Sequence, residues 1–195
     1  ALGLAIAGVL AALFIARPGS VEPSEGYGAE LASVTSRLEA LKLRSARLGN
    51  DWTALEQLAE AHTERAALTG NYADFVLAED LLAAAFSLAT PGAGPFLTRA
   101  GLNVSLHRLE LAEADLAAAE QKLLLSSAER ATILGLRADV LAQRGDLQGA
   151  LDLALEAAAV HPGPNQDARL GNIERSHGNF DAAEALFRKA GAGYQ

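Results

Sequence analysis

A three-residue signature returns four times along this chain, and it leaves few architectures open. It consists of an alanine, a second residue four positions on, and another alanine three beyond that. The copies are Ala78/Leu82/Ala85, Ala112/Leu116/Ala119, Ala150/Ala154/Ala157 and Ala183/Phe187/Ala190. The first alanine recurs after 34, 38 and 33 residues. The i, i+4, i+7 spacing puts all three residues on one face of an α-helix, and alanine there lets a neighbouring helix come close. From Asp51 onward no stretch alternates with the period of two that a half-buried strand requires.

Each copy follows a turn and a bulky residue: Gly70-Asn71-Tyr72, His107-Arg108-Leu109, Gly145-Asp146-Leu147 and Gly178-Asn179-Phe180. Glycine adopts the left-handed conformation that ends many helices, and Asn or Asp begins the next one. His107 stands where the other copies have glycine, which predicts a less sharp turn there. Before each turn lies another helical pattern with a small residue at its contact point: Ala59, Ala100, Ala138 and Gly171. Pro91 and Pro95, the Ser126–Glu129 capping box, and Pro162 with Pro164 separate the units.

These helix pairs resemble the tetratricopeptide repeat family. The likeness is good in the last two copies: Leu136-Arg137-Ala138 with Gly145-Asp146-Leu147, Ala150, Ala157 and Pro162, then Leu170-Gly171 with Gly178-Asn179-Phe180, Ala183, Phe187 and Ala190. It is looser in the first two. The first copy has about seven extra residues, enough to lengthen its facing helices by roughly a turn each. The resemblance covers residues 51–195 and implies four TPR-like helix pairs stacked as a right-handed α-α superhelix. It also implies that the first helix of each pair lines a concave groove that holds other proteins. Each repeat touches only its neighbours, so the ends of such a stack need covering.

Residues 29–49 read as a helix with a heptad seam at Leu31, Val34, Leu38, Leu41, Ser45 and Leu48. The seam lasts under three heptads and includes a serine, so it suits a helix that covers the open end of the repeats better than a free coiled coil. Residues 18–28, with Pro18, Gly19, Pro23, Gly26 and Gly28, read as a flexible linker.

Residues 1–16 carry no charge, and Arg17-Pro18 ends the run. Sixteen helical residues span about 24 Å, short of the roughly 30 Å hydrocarbon core. The segment is open to three readings: a signal sequence, a retained anchor or a buried helix. The expectation adopted is a transmembrane helix over 1–17, with Gly3, Ala7, Gly8, Ala11 and Ala12 as its helix-packing stripes. The corresponding fold class is all-α, a TPR-like solenoid with an N-terminal transmembrane helix. The corresponding location is the bacterial inner membrane, single-pass, with the repeats periplasmic or, alternatively, cytoplasmic.

The chain carries 16 Lys and Arg against 24 Asp and Glu, for a net charge of −8, and has no basic cluster to meet a phosphate backbone. Nucleic acid is therefore not expected as a partner. With no cysteine there is no thiolate metal site and no cysteine nucleophile. His62, His107, His161 and His177 form no paired-ligand spacing. Glu60-Ala61-His62-Thr63-Glu64 points its members to different helix faces, which suits packing better than metal binding. Gly92-Ala93-Gly94 does not follow a strand, so it is no phosphate loop. No enzyme activity, cofactor, metal or small-molecule substrate is expected.

If the first helices line a groove, its first repeat offers Glu56, Glu60 and Glu64. Its middle offers Leu97, Thr98, Gly101, Val104, Leu136 and Asp139, and its last repeat Arg169, Asn172 and Arg175. The partner-binding candidates are Leu97, Thr98, Gly101, Asp139, Arg169, Asn172 and Arg175. Family members that clamp a C-terminal carboxylate need Lys and Asn where this first repeat has Glu, which argues against that ligand. The expected function is a membrane-tethered protein-interaction scaffold or accessory subunit of an envelope complex. The alternative is a soluble helical regulator or chaperone whose residues 1–16 bury in a partner.

Overall fold

The computed structural model describes residues 25–49, 51–90, 92–122 and 124–193. Among them are nine helices: α1 (Glu25–Leu48), α2 (Trp52–Thr69), α3 (Tyr72–Leu88), α4 (Phe96–Ser105), α5 (Leu109–Glu120), α6 (Ser127–Gln143), α7 (Leu147–Val160), α8 (Pro164–Ser176) and α9 (Phe180–Gly193). Four antiparallel pairs follow α1: α2/α3, α4/α5, α6/α7 and α8/α9. Within each pair the two helices pack along their length. Between pairs, α2 touches α4, α4 touches α6 and α6 touches α8, while α3, α5 and α7 each touch the next pair's first helix. The first helices thus run side by side along one side of a helical-repeat-like stack.

The recurring alanines explain this packing. Ala78, Leu82, Ala85, Ala112, Leu116, Ala119, Ala150, Ala154 and Ala157 are all essentially inaccessible, as are Ala59, Ala100 and Ala138 on the facing helices. The fourth pair inverts the sizes. Its first helix carries Gly171, and a Cβ there would come within 2.9 Å of the Phe187 ring. Phe187 is half-buried and occupies the space that the missing methyl group leaves.

Local signals set the helix ends. Asp51 and Asn71 cap α2 and α3 through the amides of Thr53 and Ala73. Ser126 and Glu129 close a reciprocal capping box on α6, and Asp146 caps α7. Gly70, Gly145 and Gly178 take φ of 69°, 89° and 86°. His107 takes φ of 56°, so it adopts the same left-handed turn as the glycines. The expected looser turn is not found; the stack geometry imposes the conformation on a residue that disfavours it.

Helix α1 lies on α2. Val34 and Leu38 of its seam are buried with Leu58, Ala61 and Leu68. Arg37 pairs with the buried Glu64. The helix begins at Glu25, inside the expected linker, and Gly26 and Gly28 are helical. A tertiary contact offsets their weak propensity: the Tyr27 hydroxyl donates to the Leu68 carbonyl over 3.1 Å.

The membrane reading is corrected. Among the described residues no helix is long and apolar enough to cross a membrane. The longest, α1, carries Glu30, Arg37, Glu39, Lys42, Arg44 and Arg47 along its 24 residues, where a span needs about 20 mainly apolar positions. The segment 1–17, with Gly3, Ala7, Gly8, Ala11 and Ala12, lies outside the described residues. The described residues are therefore all-helical with no membrane-spanning helix among them, and they give the single-pass inner-membrane placement no support.

Candidate functional site

Three first helices, α2, α4 and α6, enclose a cleft of about 390 Å³. Leu97, Thr98 and Gly101 come from α4, Leu136 from α6, and Trp52, Glu56 and Glu60 from α2. The one-sided arrangement of first helices explains the grouping: residues on the common face of α2, α4 and α6 meet across the cleft. Thr98 donates its hydroxyl to Glu56 Oε1 over 2.7 Å, tying the first repeat to the second. Burial pushes the Glu56 carboxyl above its ordinary range, and nearby Glu60 adds to this; the Thr98 bond and Lys122 oppose it. On the third wall Lys122 pairs with Glu129 at 3.0 Å. Glu129 is also held by the Ser126 backbone and hydroxyl, which with Lys122 depress its carboxyl to about 2.

The candidates from the last two repeats sit elsewhere. Asp139 and Arg169 are 4% and 2% exposed and bind each other between α6 and α8. Arg169 Nε and Nη2 donate to the two Asp139 oxygens over 3.0 and 3.2 Å, and Nη1 donates to Gln166 Oε1 over 2.8 Å. The guanidinium lies against the α6 backbone at Gly135, where an added Cβ would stand 2.2 Å from Nη1. Burial raises the Asp139 carboxyl, and the charge and hydrogen bonds of Arg169 oppose that rise. Asn172 is also buried and accepts from Arg175 Nη2 over 3.0 Å. Asp139 and Arg169 therefore join the third repeat to the fourth, the Asn172–Arg175 bond lies within α8, and the positive charge that Arg169 was expected to bring to the last repeat's part of the groove is neutralised by Asp139.

Other polar residues of the first helices tie the two helices of their own pair together. His62 Nδ1 lies 2.7 Å from Asp74 Oδ1, and Arg65 grips the same carboxylate at 2.5 and 2.9 Å. Burial raises Asp74, but the bonds from Arg65 and His62 outweigh it and hold the carboxyl below its ordinary value. Arg99 repeats the theme on Asp115 and lies 3.8 Å over the Phe86 ring. Glu64 faces α1, and Val104 is in the core.

Trp52, Lys122 and Glu129 were not among the expected groove residues. The capping box already marked Glu129 as an ordered carboxylate, and the only tryptophan directly after a helix cap was the available signal for Trp52. Lys122 lies between helices and has no periodicity to reveal it. Compared with protein-family models, with curated proteins and with solved structures, the chain matches none.

Proposed function

We propose that the chain is a tetratricopeptide-like interaction scaffold whose α2/α4/α6 cleft holds a segment of another protein. The observation that carries this reading is the division of labour between helices. First helices share one continuous side with an open cleft of mixed polarity, while second helices bury their alanine faces against them. Alanine-lined pairs give the stack rigidity, and a rigid preformed cleft lowers the ordering cost of binding an extended segment. No catalytic role is assigned to the cleft, and its acidic members serve recognition.

Site-specific photo-crosslinking tests this. A crosslinker at Leu97 in the cleft should capture a protein partner, whereas one at Leu155, exposed on the outer side of α7, should not. Capture from Leu155 alone, or equally from both positions, would remove the cleft from the function.

A further inference from the structure

The cleft carries more information than its position, because its charge and its floor are both unbalanced. Glu56, Glu60 and Glu129 contribute three carboxylates to its lining against one cation, Lys122, which is engaged with Glu129. Glu56 spends one hydrogen bond on Thr98, and a carboxylate has acceptor capacity left after that. Between the acids and Leu136 lies Gly101. It occupies the position that holds Glu60, Asp139 and Asn172 in the other first helices, one residue after Ala59, Ala138 and Gly171. A Cβ at Gly101 would meet only Leu136 Cδ2, at 3.9 Å, an ordinary contact. Packing therefore does not demand glycine here. A glycine inside a helix weakens it, and what its missing side chain provides is depth in the cleft.

Building on the scaffold reading, we propose that the cleft takes a lysine or arginine side chain from an extended basic segment of the partner protein. The aliphatic stem lies over Gly101 between Leu97 and Leu136, and the cation reaches Glu56 and Glu60. Long basic side chains suit this mixture because they bury an apolar stem while presenting a charged head. Trp52 lines the same cleft and adds an aromatic surface that attracts cations. An acidic segment would meet uncompensated carboxylates instead.

A random heptapeptide library, immobilised and screened with the whole chain, tests the proposal. Wild type should select peptides enriched in lysine or arginine at one position. The double variant Glu56→Gln/Glu60→Gln should lose that enrichment and bind the selected peptides about tenfold more weakly. Gly101→Leu should bind none of them while keeping its helical spectrum and an unfolding midpoint no lower than that of wild type. Emission from Trp52, the chain's single tryptophan, reports binding in solution and should respond less as salt rises. Selection of peptides without basic residues, blocked by Gly101→Leu, would overturn the cation subsite and leave the cleft reading standing. Selection indifferent to Gly101→Leu, or no selection at all, would overturn both.

Discussion

Gly135 and Gly101 occupy consecutive first helices, α6 and α4, yet one added methyl group should move stability in opposite directions at the two sites. At Gly101 the new Cβ finds only Leu136 at 3.9 Å. Gly101→Ala should therefore stabilise the protein by about 0.5–1 kcal/mol, the ordinary helix gain. At Gly135 the same atom would stand 2.2 Å from Arg169 Nη1 and 2.5 Å from Cζ. Restoring van der Waals separation requires the guanidinium to retreat by about 1 Å or more. Three hydrogen bonds of 2.8–3.2 Å fix that group, so a retreat strains all of them. Bonds to charged groups contribute about 1.5–3 kcal/mol each. Partial loss of the set, less the helix gain, gives a net destabilisation of about 2–3 kcal/mol for Gly135→Ala. Denaturant unfolding of the two variants beside wild type measures both values. Repeating Gly135→Ala in an Arg169→Leu background isolates the clash, because there the added methyl should become neutral or stabilising. Equal effects of the two alanine substitutions in the wild-type background would refute the stacking of Arg169 on Gly135.

Local geometry also sets the outcome of substitutions at three other places in the fold. His107 is exposed and left-handed, at φ 56°, so His107→Gly should raise stability by about 1 kcal/mol in thermal unfolding. Phe187→Ala should cost about 2 kcal/mol, at or below the low end of buried aromatic truncations because the ring is only half-buried, and Gly171→Ala should be destabilising as well. Glu129 has its carboxyl depressed from 4.5 to about 2 in the folded chain, so its contribution is complete above pH 4.5 and is lost as pH falls towards 2. The stability gap between wild type and Glu129→Gln should accordingly be constant near neutrality and close on acidification, while Ser126→Ala should cost about 0.5–2 kcal/mol.

The helix pairs were legible because their determinants are local and periodic. Ala78/Leu82/Ala85 and its three copies announce a buried face by spacing alone, and Gly70, Gly145 and Gly178 announce turns by backbone conformation. That Leu97, Thr98 and Gly101 share the face that lines the cleft was legible for the same reason: their place on the helix follows from its contact alanine. Arg169 and Asp139 were misread because the charge of a side chain does not disclose its partner. They lie 30 positions apart and meet only once α6 and α8 are side by side, over a glycine whose significance depends on that contact. His107 was misread in the opposite way, since its own preference pointed to one turn and the packing of α4 against α5 imposed another.

The ion pair between α6 and α8 bears on how the stack keeps its alignment. Faces built from alanine at four-residue spacing look alike after a shift of one helical turn, so they resist sliding weakly. A slip of one turn, about 5.4 Å, would carry the Arg169 guanidinium away from Asp139 and leave two buried charges unmatched. Uncompensated burial of that kind costs about 3–5 kcal/mol. The pair thus works as a detent: shallow alanine surfaces let the helices approach, and one charged contact selects a single registration among near-equivalent ones. The walls of the cleft come from α2, α4 and α6, and the detent holds the last of these against the repeat beyond it.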